Sequence, residues 1–171
     1  MPTASSPGTT SVRKAEVMPT LIVATDGSEL AVQAAVAGLS LMKQAETVLV
    51  VTAVDHVDPM DDATGHAGPT MTYEQAEANN RQAKTEGQAV ADATAKALQD
   101  LGYGPGQVET LVTEGDAGPA LCRVAADVGA SALIIGSRGR GGFKRAFLGS
   151  VSYYVVRNAP CPVVVSTNRE T

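Results

Sequence analysis

The sequence predicts an α/β fold, an open five-stranded parallel sheet with helices on both faces. Two observations carry that expectation. Short apolar runs such as Thr47 to Val54 (TVLVVTAV) are continuous rather than alternating, as parallel strands covered on both faces require. Segments with apolar residues at helical spacing lie between these runs. Strands alternating with helices imply right-handed crossovers and a parallel sheet.

The elements follow in order. Thr20 to Thr25 (TLIVAT) is the first strand and breaks at Asp26-Gly27-Ser28. Val32, Ala35, Val36, Leu39 and Met42 then recur at helical spacing, which predicts a helix from Ser28 to about Lys43 with Ser28 as N-cap. Thr47 to Val54 is the second strand. Val57 to Thr72 has no periodicity, and sixteen residues is long for a loop in a compact domain. A long helix is expected from Tyr73 to Leu101. Its face is read from Ala76, Ala83, Val90 and Ala97, interleaved with Asn80, Gly87, Thr94 and Leu101. Gly102 is its natural stop. Val108 to Thr113 is the third strand. Pro119 fits the first turn of the next helix, whose face is Leu121, Val124, Ala125 and Val128. Ala132 to Ile135 is the fourth strand. A last helix runs from Gly149 to about Asn158, ahead of Ala159-Pro160, and Pro162 to Ser166 is the fifth strand.

At 171 residues the chain is expected to form one domain, residues 19–168, behind a disordered Ser/Thr/Pro-rich tail at 1–18. Met18-Pro19-Thr20 repeats Met1-Pro2-Thr3, which leaves two candidate starts. The tail lacks the apolar core of a secretory signal. No apolar run approaches the ~20 residues of a spanning helix. A net charge of −5 argues against a general nucleic-acid binder. Cys122 and Cys161 form no CxxC pair, so a cytoplasmic chain with two inert, largely buried thiols is expected.

Ligands of such sheets sit outside the carboxyl ends of the strands, where strand order reverses. Three loops leave such ends: Asp26-Gly27-Ser28, Ala53-Val54-Asp55, and Gly136 to Gly139. The last belongs to Gly-x-x-Gly-x9-Gly-Ser, from Gly136 to Ser150. Glycines there let a ligand approach the backbone closely. A helix opening at Ser150 offers exposed N–H groups to a phosphate. Arg138 to Arg145 also holds four of the chain's 13 basic residues, which points to an anion. A carboxylate such as Asp26 would repel phosphate and suits a ribose or base; its bland alternative is a helix cap. The run matches neither a P-loop nor G-x-G-x-x-G. His56, Asp58, Asp61, Asp62 and His66 match no metal motif, and any metal site stays unknown. Cys122 with a His as a nucleophile pair gives way to core packing.

The combination of ATDGS at the first strand exit, GDAGPALCRVAADVGASALIIGSRG, and the glycine motif followed by Val-Ser resembles the universal stress protein family, over about Thr20 to Ser166. The resemblance implies a Rossmann-like sheet of order 3-2-1-4-5 and an ATP-binding type marked by the glycine motif. It implies a cytoplasmic, regulatory homodimer pairing through Pro162 to Ser166, acting in the stress response without strong catalysis. ATP, with or without Mg²⁺, is the implied ligand, with AMP or cyclic AMP as alternatives. The implied nucleotide site is Thr25, Asp26, Gly27, Ala53, Gly136, Ser137, Arg138, Gly139, Arg140, Gly149, Ser150, Val151 and Ser152. No catalytic residue is assigned, because no second carboxylate or His accompanies the glycine loop. The rival readings are a slow ATP-hydrolysing enzyme, a cyclic-AMP or AMP binder, and a nucleotide-free structural dimer.

Overall fold

The computed structural model describes residues 19–42, 47–58, 71–104, 106–139 and 148–167. The expected tail lies outside them. The elements are β1 (Thr20–Ala24), α1 (Glu29–Leu41), β2 (Thr47–Val54), α2 (Tyr73–Asp100), β3 (Val108–Glu114), α3 (Ala117–Asp127), β4 (Ala132–Gly136), α4 (Ser150–Asn158) and β5 (Val163–Ser166). The strands form one sheet of order β3-β2-β1-β4-β5, every pair parallel. The predicted fold class and strand order are therefore the observed ones.

The sheet explains the unbroken apolar runs. Successive side chains of a strand point to opposite faces. Leu21 and Val23 of β1, Val48 and Val50 of β2, and Ile134 of β4 meet Ala35 and Leu39 of α1 and Ala91, Ala95 and Leu98 of α2. Their neighbours Ile22, Leu49, Val51, Leu133 and Ile135 meet Leu121, Val124 and Ala125 of α3 and Val155 of α4 on the other face. Ile22, Val23, Leu133 and Ile134 are wholly shielded from solvent. The chain grows outward from β1 through β2 to β3, then crosses back to β4 and β5. The reversal lies between β1 and β4, so their carboxyl ends form a crevice.

Helix starts follow their local chemistry. Ser28 caps α1, its Oγ accepting from Ala31 N–H. Thr72 and Gln75 form a reciprocal capping box on α2. Several boundaries and one face differ from the sequence reading. α1 ends at Leu41, and Lys43 lies outside the described residues. β3 continues to Glu114. β5 begins at Val163; Pro162 has no N–H to give, though its carbonyl accepts from Leu133 N–H. On α2 the seven-residue repeat misplaces the buried stripe. Ala76, Gly87 and Thr94 are buried as read, but so are Ala91, Ala95 and Leu98, while Leu101 is 58% exposed. Leu101 is the C-cap, one residue beyond the helix, where the chain turns away through Gly102 at φ 104°.

No helix among the described residues is long and apolar enough to cross a membrane.

Candidate functional site

The crevice between β1 and β4 opens into a cavity of about 450 Å³, within the range of sites for small ligands. Each wall comes from a different element. β1 and its exit supply Ala24, Thr25 and Asp26; β2 supplies Val51 and Ala53; β4 and its exit supply Ile135, Gly136, Arg138 and Gly139. Ala31 of α1 and Ala117 and Leu121 of α3 close two sides, and Gly149 to Ser152 close the last.

At the first strand exit, Gly27 adopts φ 77°, a left-handed turn that glycine favours. Thr25 is buried and its hydroxyl is committed on the α2 side. It accepts from Gly27 N–H at 3.1 Å and lies 3.1 Å from Thr94 Oγ1. Thr94 in turn donates to Val90 O, so Thr25 supplies the proton between the two hydroxyls. Asp26 is held from behind: its Oδ1 accepts from Ser28 N–H at 3.0 Å and from Ser28 Oγ at 2.7 Å. Its Oδ2 lies where a Cβ on Gly139 would be 2.7 Å away. The bland expectation for Asp26 is therefore refined, because Ser28 caps the helix and Asp26 is the group that Ser28 orients.

The opposite wall is the start of α4. Gly149 is its N-cap and brings no capping side chain. The first intrahelical bond runs from Tyr153 N–H to Gly149 O, so the N–H groups of Ser150, Val151 and Ser152 lie ahead of it, at the positive end of the helix dipole. The backbone of Ser137 fixes this wall. Ser137 O accepts from Gly149 N–H at 2.8 Å and from Ser152 Oγ at 3.0 Å, while Ser137 N–H donates to Ser166 O at 2.8 Å. The Ser152 hydroxyl also lies 3.0 Å from Gly149 O. Its single proton is thus committed within the protein, and Ser152 offers the cavity its backbone.

Of the expected site residues, Thr25, Asp26, Ala53, Gly136, Arg138, Gly139, Gly149, Ser150, Val151 and Ser152 line this one cavity. Gly27 and Ser137 do not line it and act as turn and tether. Arg140 lies outside the described residues, as do Lys144 and Arg145. Sequence reasoning missed Ala24, Ala31, Val51, Ala117, Leu121 and Ile135. Ala117 also corrects the count of three contributing strand exits, since the chain leaving β3 reaches the cavity too. Val51 and Ile135 carried a usable signal, because residues two apart on a strand share a face and Val51 stands two before Ala53.

Beyond the cavity, the chain leaving β2 is drawn toward α2. Val57 N–H donates to Asn80 Oδ1 and Asn80 Nδ2 donates to Val57 O. His56 Nδ1 lies 3.0 Å from Glu114 Oε1, and Lys84 Nζ lies 2.9 Å from Glu114 Oε2. Hydrogen bonds from Lys84 and then His56 hold the Glu114 carboxyl below its usual range. Asp61, Asp62 and His66 lie outside the described residues, among which no metal-ligating group forms. Cys122 and Cys161 are only partly buried, yet both pack against the same core cluster. Burial pushes both thiols up, and Cys122 adds to the effect on Cys161, which disfavours the nucleophilic thiolate.

Comparison with known proteins agrees with this architecture. Residues 18–166 match the universal stress protein family. Universal stress protein YxiE of Bacillus subtilis is 29% identical over 147 residues, covering 85% of this chain and 96% of the relative. Among solved structures, hypothetical protein MJ0577 superposes with a TM-score of 0.72 at 22% identity, over 91% of this chain and 99% of that one. A universal stress protein in complex with cAMP gives a TM-score of 0.58 at 20% identity, over 86% and 94% of the two chains. The Arabidopsis thaliana family protein At3g01520 with AMP bound gives 0.58 at 18%, over 89% and 93%. At these identities the solved structures show the fold.

Proposed function

The chain belongs to the universal stress protein family, and from that premise we propose that its cavity binds an adenine nucleotide, with ATP the first-choice ligand. One observation carries the reading. The cavity joins an aliphatic wall of Val51, Ala53, Leu121 and Ile135 to an uncapped helix start at Gly149 to Ser152. The first suits a flat base and the second a phosphate. Asp26 takes the sugar end, and Gly136, Arg138 and Gly139 approach the phosphates. Mg²⁺ accompanies the triphosphate as part of the ligand. AMP or cyclic AMP is the second reading, favoured by the two solved relatives that hold those ligands.

The protein acts as a regulator in the cytoplasm, through one domain at residues 19–168, rather than as an enzyme. Slow ATP hydrolysis is the rival, and turnover with Mg²⁺ separates the two. The direct test is mass spectrometry of small molecules released from the purified protein. An adenine nucleotide, retained through purification or taken up on incubation at concentrations above the micromolar range, is expected. Protein that carries none and takes up none on incubation contradicts the reading and favours an empty structural dimer.

The homodimer forms through β5, the edge strand, which among the described residues pairs with β4 alone. Leu133 N–H donates to Pro162 O and Ser137 N–H to Ser166 O. By strand alternation the N–H and C=O groups of Val163 and Val165 face the open edge. Such an edge invites a second strand, and a copy of itself satisfies it with two-fold symmetry. Tyr153 and Val156 of α4, 54% and 48% exposed, add apolar surface on the element before it. The side chains of Val164 and Val165 both pack on the core, on opposite faces of the sheet, so the backbone decides the probe, and Val165→Pro is the cleaner one. It removes a donor on the open side, where an edge strand tolerates proline. Light scattering at micromolar concentration is expected to give a wild-type dimer and a Val165→Pro monomer. A dimeric variant moves the interface elsewhere.

A further inference from the structure

We propose that Ser28 is a positioning residue that sets the site's preference for a nucleoside phosphate over a bare polyphosphate. The inference rests on the nucleotide reading above and assigns a role to a residue outside the cavity lining. Ser28 acts through Asp26. Its backbone N–H and its hydroxyl both donate to Asp26 Oδ1, at 3.0 and 2.7 Å. The same hydroxyl oxygen accepts from Ala31 N–H at 3.2 Å. The proton count closes: one hydroxyl proton goes to the carboxylate, and a lone pair serves the helix start.

The two carboxylate oxygens face different neighbours. Ser28 fixes Oδ1, and Oδ2 faces Gly139, where a Cβ would be 2.7 Å away. With Oδ1 gripped twice and Oδ2 at the glycine exit, the carboxyl plane cannot rotate without breaking a charge-assisted hydrogen bond. Asp26 therefore meets a ligand as a preset acceptor. Sugar hydroxyls donate to it, and a polyphosphate has none to give. Without the Ser28 hydroxyl the carboxylate loses the shorter of the two hydrogen bonds on Oδ1, and holding it in place for the ligand becomes a larger cost of binding. That cost falls on ligands with a sugar and spares those without one.

The cap and the aiming role are separable. Thr keeps the hydroxyl and caps nearly as well; Gly also serves as a cap but lacks the hydroxyl. Calorimetric titrations of wild type, Ser28→Thr, Ser28→Gly and Ser28→Ala with ATP and with inorganic tripolyphosphate read the ratio of the two affinities. Ser28→Gly and Ser28→Ala are expected to lose about tenfold of the preference for ATP, while Ser28→Thr keeps it. Asp26→Ala should lose it too, and adding Ser28→Ala to Asp26→Ala should change nothing more. An unchanged ratio in both Ser28→Gly and Ser28→Ala overturns the inference. So does an equal fall for both ligands, which marks a purely structural cap. A wild type that binds neither ligand overturns the nucleotide reading itself, and a wild type without preference for ATP overturns the role of Asp26.

Discussion

Gly139→Val is expected to weaken ATP binding by roughly ten- to hundredfold, the loss of a hydrogen bond to a charged group, with folding stability nearly unchanged. The cause is local. A Cβ at this position would stand 2.7 Å from Asp26 Oδ2 and 3.6 Å from its Cγ. Asp26 cannot retreat cheaply, because Ser28 holds its other oxygen through two hydrogen bonds. Either the carboxylate leaves its position or the glycine exit moves away from the cavity, and both spoil the same wall. Gly139 is exposed, and surface substitutions of this kind usually stay within about 0.5 kcal/mol. Gly149 is different: a Cβ there would meet Ser137 O at an ordinary 3.5 Å, so a bound ligand, and not the fold, would feel the methyl of Gly149→Ala. Calorimetry and thermal melting measured side by side check the prediction. Normal ATP affinity in a well-folded Gly139→Val protein would place the ligand away from this exit.

Gly38→Val is expected to act in the opposite sense, on folding rather than binding. Gly38 is buried on α1, and a Cβ there would overlap Ile134 Cγ2, with Ile134 Cδ1 and Cγ1 3.2 Å away. Ile134 is wholly buried in β4, between β1 and β5. Its branch at Cβ stiffens χ1, so Cγ2 cannot swing aside. Overpacking a tight core costs about 1–3 kcal/mol and sometimes more, which in a chain of this size lowers Tm by roughly 2–12 °C. Gly38→Ala should fall between, since the ~1 kcal/mol gain in helix propensity offsets part of the clash. Melting of the three proteins gives the order. A Gly38→Val protein as stable as wild type would mean that α1 does not approach β4 this closely.

The parallel sheet was legible because β1, β2 and β4 are covered on both faces, and full coverage writes an unbroken apolar run into the sequence. α2 was legible as a helix but not in its orientation. Its buried residues are mostly Ala, Gly and Thr, whose small contrast with the solvent side lets a heptad and a 3.6-residue repeat fit equally well. The polar part of the cavity stood out because glycines, Asp26 and Ser150 sit at strand exits and a helix start. Its aliphatic part did not: Val51, Leu121 and Ile135 look like any core residue until the sheet order puts them on one side of a crevice. Hydroxyl roles were also hidden. Thr25 and Ser152 are written in the sequence as possible ligand contacts, and only geometry commits their protons to Thr94 and to the Ser137 and Gly149 carbonyls. Cys122 and Cys161, far apart along the chain, share one core cluster for the same reason.

The central claim is that the cavity between β1 and β4 binds an adenine nucleotide, and a calorimetric titration of the purified, ligand-stripped protein tests it most directly. Saturable heat with ATP at micromolar affinity, about −8 kcal/mol, weakened roughly ten- to hundredfold in Gly139→Val, is the predicted result. No heat with ATP, ADP, AMP or cyclic AMP would contradict it.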